Sequence, residues 1–122
     1  MNKKILIVED EKDLRDAYRM ILNSRGYETS QAYDGKEAID KLEQFSPDLI
    51  LLDLRMPNMS GLQLLDEYRQ MGEPKAKIIV FSNLDSEKDI NQAYKLGSDK
   101  YILKAWASPT ELLKVVEEAL ST

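Results

Sequence analysis

Leu49-Ile50-Leu51-Leu52-Asp53 decides the fold: four aliphatic residues in a row, then a carboxylate. A run this short and this apolar reads as a β-strand buried on both faces, and as the most apolar one it belongs at the centre of a parallel sheet. Working outward, Ile5-Leu6-Ile7-Val8 and Ile78-Ile79-Val80-Phe81 have the same character. Tyr101-Ile102-Leu103 is a shorter version, and Glu28 to Ala32 is a weak, polar strand that suits a sheet edge. Helical spacing fills the intervals. Leu14, Ala17, Tyr18, Ile21 and Leu22 make one apolar stripe, with Gly26 as a left-handed stop. A second helix, from about Gly35, carries Ala38, Ile39, Leu42 and Phe45, and Pro47 ends its connection. Ser60 caps a third helix bearing Leu62, Leu65 and Tyr68, which Gly72 and Pro74 close. A fourth runs roughly from Ser86 to Leu96 before Gly97. Ser108-Pro109 opens the fifth, with Ser as N-cap, Pro in the first turn and Glu111 completing a capping box. Strand and helix thus alternate five times, which predicts an open, doubly wound parallel α/β sheet with right-handed crossovers.

Composition sets the limits. A chain of 122 residues, 43% hydrophobic and 32% charged, is expected to form one soluble domain spanning 1–122. No apolar run approaches the roughly 20 residues that span a bilayer. The apolar run after Lys3-Lys4 is too short for a signal peptide, because Glu9, Asp10 and Glu11 end it at once. A cytoplasmic protein without membrane partners is the expectation. With no cysteine there are no disulfides or thiolate metal sites, and with no histidine there is no imidazole base. A net charge of −5 argues against nucleic acid as a direct partner, since phosphate neutralisation needs a basic face.

Ligands of open parallel sheets bind beyond the carboxyl ends of the strands. Glu9, Asp10, Asp53, Ser82 and Lys104 all sit at or just past such ends. Three carboxylates gathered there repel one another when ionised, and a hard cation such as Mg²⁺ resolves the conflict. Lys104 adds a positive point charge and Ser82 a hydroxyl donor. The set suits a phosphoryl group carried on a carboxylate nucleophile, with catalysis by positioning and charge neutralisation. Each residue alone has a plainer role: the acidic triplet as a helix start, Ser82 as a turn residue, Lys104 as a solvated lysine, Tyr101 as a packing tyrosine. Five functional groups at successive strand ends make those readings poor as a set.

Val8-Glu9-Asp10-Glu11, the run Leu51-Leu52-Asp53-Leu54-Arg55-Met56-Pro57 through Gly61, Ser82, and Tyr101-Ile102-Leu103-Lys104 resemble the CheY-like receiver domain of two-component response regulators. The likeness covers essentially the whole chain, in order and spacing. It implies a flavodoxin-like (βα)5 sheet in strand order 2-1-3-4-5. It implies that Asp53 is the phosphoacceptor for the phosphohistidine of a sensor histidine kinase or a phosphotransfer protein. Mg²⁺ would be held by Asp10, by Glu9 through water, by Asp53 and by the backbone carbonyl of Arg55. Ser82 would donate to a phosphoryl oxygen, Lys104 would pair with the phosphoryl group, and Tyr101 would be the switch aromatic. The protein would catalyse its own phosphorylation and dephosphorylation without turning over external substrates. Its output would be a downstream protein or output domain bound at the fourth helix, fifth strand and fifth helix. Exposed residues there, such as Lys88, Gln92, Lys95 and Leu113, are candidates for a homodimer face on phosphorylation.

Three departures from the family pattern matter. Ala105 follows Lys104 where proline is usual, so the Lys104–Ala105 bond is either trans or a costly non-proline cis bond. Asn83 stands where a smaller residue is commoner and narrows access to Asp53. Arg55 and Leu84 occupy positions that tune the lifetime of the phosphoryl group, and a leucine predicts a long one. A degenerate receiver acting as a constitutive interaction module is the alternative function. A haloacid-dehalogenase-type phosphatase needs a second aspartate where Arg55 stands. A flavin or nucleotide binder needs a glycine-rich loop where Glu9-Asp10-Glu11 stands.

Overall fold

The computed structural model describes residues 2–72, 76–84, 86–106 and 108–121, with Trp106 described by its backbone alone. Strands β1 (Lys4–Val8), β2 (Glu28–Ala32), β3 (Leu49–Leu52), β4 (Lys77–Ser82) and β5 (Lys100–Leu103) alternate with helices α1 (Lys12–Ser24), α2 (Gly35–Phe45), α3 (Gly61–Gln70), α4 (Glu87–Lys95) and α5 (Pro109–Leu120). A single 3₁₀ turn, Lys104–Trp106, joins β5 to α5. The five strands are parallel in the order β2-β1-β3-β4-β5. The apolar run that anchors the sequence reading is the central strand, and polar β2 is an edge.

Both faces of the sheet are covered, which is why the central strands lack polar alternation. Leu6, Val8, Ile50, Leu52, Ile78 and Val80 point to one face, where Ala38 and Leu42 of α2, Leu64 and Leu65 of α3 and Ala93 of α4 meet them. Ile5, Ile7, Leu49, Leu51, Ile79 and Phe81 point to the other, against Tyr18 and Leu22 of α1 and Leu112, Leu113 and Val116 of α5. The rings of Tyr18 and Phe81 meet edge to face at 5.6 Å. This packing corrects two expectations. Leu113 is only 3% exposed and belongs to the core under α5, so it offers nothing to a dimer face. Ala17 is exposed, because it falls on the flank of a stripe centred on Leu14, Tyr18, Ile21 and Leu22.

The caps follow the sequence closely. Ser60, Ser86 and Ser108 each accept a hydrogen bond from the backbone N–H three residues on, as N-cap serines do. Gly26 and Gly97 take φ of 86° and 108° after α1 and α4. Ser46, at φ 49°, ends α2 in the left-handed region without a glycine. Pro74, expected to close α3, lies outside the described residues. Among the described residues no helix is long and apolar enough to cross a membrane.

Candidate functional site

The register gathers the site. Val8 pairs with Leu52, so Glu9 and Asp53 leave their strands side by side. The backbone holds them there: Asp53 N–H donates to Val8 O at 3.0 Å, and Glu9 N–H to Ala32 O at 3.0 Å. Ser82 ends β4 opposite Leu103, and Lys104 follows at once. Glu9, Asp10, Asp53, Arg55, Ser82 and Lys104 meet at the carboxyl edge, whereas Tyr101, the second residue of β5, stands back from it. Asp10, Asp53, Arg55, Ser82 and Lys104 line one open crevice with Glu11, Asn83 and Leu84. Glu9 lies beneath, 2% exposed, and Asp53 is 7% exposed.

Lys104 is the hub. Its Nζ lies 2.5 Å from Glu9 Oε1 and 3.1 Å from Asp53 Oδ2. The second oxygen of each carboxylate takes a backbone donor: Glu11 N–H to Glu9 Oε2 at 3.2 Å, and Arg55 N–H to Asp53 Oδ1 at 3.2 Å. Burial pushes the Glu9 carboxyl up to about 7; the Lys104 hydrogen bond opposes the rise and the Asp53 charge adds to it. Burial works against the Lys104 ammonium too, but the Glu9 hydrogen bond and the charges of Asp53 and Glu9 outweigh it. The net pKa is raised and the lysine stays cationic. One ammonium therefore faces a cluster of three carboxylates, Glu9, Asp10 and Asp53, whose nearest oxygens all lie within 4.8 Å of one another. An excess of hard oxygen ligands in that space fits a divalent cation such as Mg²⁺.

Ser82 and Tyr101 meet at one residue, Leu84, from its two sides. Leu84 N–H donates to Ser82 Oγ at 3.3 Å, and Tyr101 Oη donates to Leu84 O at 2.6 Å. Ser82 is fully buried, while Tyr101 is half-buried beside Leu84 at the edge of the core. No cis peptide bond occurs among the described residues, so the Lys104–Ala105 bond is trans. Asn83 and Arg55 are exposed and line the crevice.

Two contributors were not read from the sequence. Arg15, at the end of the first turn of α1, donates from Nη1 to Glu9 O at 2.8 Å and to Asp10 O at 3.4 Å. It clamps the backbone that carries the acidic pair. The signal was its place five residues after Asp10, on the helix that this pair leads into. The other is Asp34, the N-cap of α2, whose Oδ1 accepts from Glu37 N–H at 2.9 Å. Its oxygen Oδ2 accepts from Asn58 Nδ2 at 2.7 Å. The spacing Asp34-x-x-Glu37 is a helix-start signature that the sequence carried openly.

The family profile of the response regulator receiver domain matches residues 5–117. A response regulator receiver domain protein (CheY-like) from Methanospirillum hungatei JF-1 is 31% identical, with a TM-score of 0.92 over 99% of this chain and 95% of that one. The chemotaxis protein CheY4 of Vibrio cholerae is 27% identical, with a TM-score of 0.89 over 97% and 98% of the two chains. A Francisella response regulator receiver domain is 32% identical, with a TM-score of 0.86 over 95% and 94%. The strand order, the acidic crevice and these likenesses agree: the chain belongs to the response regulator receiver domains, the phosphorylation-controlled switches of two-component signalling.

Proposed function

We propose that Asp53 accepts a phosphoryl group from the phosphohistidine of a sensor histidine kinase or a phosphotransfer protein. The observation that carries this reading is the setting of Asp53. It is a carboxylate at a crevice floor, with Lys104 on one oxygen and the Arg55 N–H on the other. Glu9, Asp10, Asp53 and the Arg55 carbonyl would hold Mg²⁺, which supplies positive charge to the phosphoryl oxygens and relieves the repulsion among the carboxylates. A carboxylate oxygen of Asp53 attacks phosphorus. The new P–O bond forms as the bond to the donor nitrogen breaks, and the electron pair leaves with the imidazole. The product is an acyl phosphate. Hydrolysis runs through attack of water on phosphorus, with the Asp53 carboxylate leaving and the water proton passing to solvent.

Lys104 then offers its charge to the phosphoryl group, and Ser82 its hydroxyl proton. The Ser82 Oγ now accepts from Leu84 N–H, so a Ser82 drawn toward the phosphoryl group pulls on the residue whose carbonyl Tyr101 holds. That is a route from the new charge to the surface of α4, β5 and α5, where an output partner or a second copy docks. Lys88, Gln92 and Lys95 of α4 remain exposed for such contacts.

The test is intact-protein mass after incubation with acetyl phosphate, with and without Mg²⁺. One added phosphoryl group that requires Mg²⁺ supports the switch. No adduct under any condition, from acetyl phosphate or from a phosphohistidine donor, would favour a constitutive interaction module.

A further inference from the structure

The connection that follows Asp53 is a tight loop pinned at both ends. Arg55 N–H bonds back to Asp53 Oδ1 at its start. Gly61 N–H bonds to Leu54 O at 2.9 Å at its finish. A Cβ on Gly61 would lie 2.6 Å from Leu54 Cα and 2.7 Å from Asp53 O, so this closure demands glycine. The apex, Pro57-Asn58-Met59, is tied to a different element. Asn58 sits at φ 68°, a left-handed conformation that asparagine tolerates better than most residues. Its Nδ2 donates 2.7 Å to Asp34 Oδ2. Beside this bond Met59 is seated on Gly35, where a Cβ would come within 2.8 Å of the methionine Cβ and Cγ. Asp34 is 3% exposed. The Glu37 N–H and the Asn58 amide hold its carboxyl below the usual carboxylate range, so the acceptor is charged and the bond strong.

One oxygen of Asp34 is enough to cap α2. The second is aimed at a loop 24 residues away. We propose that Asp34 is a positioning residue: through Asn58 it fixes the loop by which the Arg55 peptide meets Asp53, and so sets cation affinity and phosphorylation rate at a distance. This inference rests on the proposed reading of Asp53 as the acceptor.

The side-chain chemistry separates clamp from cap. Asp34→Ser keeps an N-cap oxygen but is too short to reach Asn58. Asn58→Gly keeps the left-handed backbone and removes the donor. Asn58→Asp sets two carboxylates against each other, and adding Asp34→Asn restores the bond with donor and acceptor exchanged, since asparagine also caps. On the full chain, three quantities are read: Mg²⁺ affinity by calorimetry, phosphorylation rate from acetyl phosphate, and amide hydrogen exchange at Arg55 without Mg²⁺.

Asp34→Ser, Asn58→Gly and Asn58→Asp are expected to lower Mg²⁺ affinity or rate about tenfold, the usual cost of losing a partner behind a metal ligand. They should also speed exchange at Arg55, and the Asp34→Asn/Asn58→Asp pair should recover both. Wild-type Mg²⁺ affinity and Arg55 exchange in Asp34→Ser, with only the melting temperature lowered, would overturn the proposal and leave Asp34 as a cap. If Asn58→Asp does not fold, Asn58→Gly decides. If wild type itself takes no phosphoryl group, the proposed function fails, while Mg²⁺ affinity and Arg55 exchange still decide the clamp.

Discussion

Two aspartates bracket the central strand, Asp48 before it and Asp53 after it, and they do opposite things. At the amino end Asp48 Oδ2 accepts from Lys4 N–H at 2.8 Å, while its own N–H donates to Lys4 O at 2.7 Å. Asp99, leading into β5, repeats the device with Ile78 at 2.7 and 2.8 Å. Each of these carboxylates has an amide of the next strand as its partner and pins two strands together. At the carboxyl end Glu9 and Asp53 are buried, crowded by Asp10, and share one ammonium. A carboxylate matched to backbone donors has a structural job. Carboxylates crowded in excess of their one ammonium make a site suited to a cation.

The contrast can be broken at several points. The largest effect is expected at Asp53. Asp53→Asn should abolish the phosphoryl adduct in intact-protein mass and leave the fold unharmed, as it relieves carboxylate repulsion. At the opposite end, Asp48→Ala or Asp99→Ala should cost about 1–2 kcal/mol in urea unfolding, the worth of a partly exposed hydrogen bond to a charged group. Phosphorylation should be unchanged in both. Gly61→Ala should combine the two outcomes. Its Cβ meets backbone, so it should destabilise by about 1–3 kcal/mol as overpacking does, and it should slow phosphorylation by shifting the loop beside Asp53.

The smallest effect is a pH dependence at Asp34. Its folded pKa is depressed below 3.8, chiefly by the Glu37 N–H and then by Asn58. The folded state therefore binds this proton more weakly than the unfolded chain. The stability it contributes is present above the unfolded value and lost as pH falls through the folded one. Melting temperature followed from pH 5 down to about 2 should show a component that Asp34→Asn lacks.

Much of this was legible in the chain. Continuous aliphatic runs announced strands covered on both faces, and serine caps and glycine stops placed the helices to within a residue or two. The residues at the strand ends followed, because a parallel sheet delivers every strand's carboxyl end to the same edge. What escaped depended on contacts far apart in sequence. Leu113 read as surface because a one-dimensional pattern does not say how deeply α5 sinks against β4. The Asp34–Asn58 bond joins two loops whose meeting depends on the packing of α2 beside α3. Arg15 was passed over because a lysine or arginine on a helix is most often solvated, and only the fold turns this one back toward the Glu9 and Asp10 carbonyls.

The most direct measurement is intact-protein mass of wild type, Asp48→Asn and Asp53→Asn after acetyl phosphate with Mg²⁺. With Asp53 as the acceptor, the expectation is one phosphoryl group on wild type and on Asp48→Asn, and none on Asp53→Asn. An adduct that survives in Asp53→Asn, or one that disappears in Asp48→Asn while the fold is retained, would contradict it.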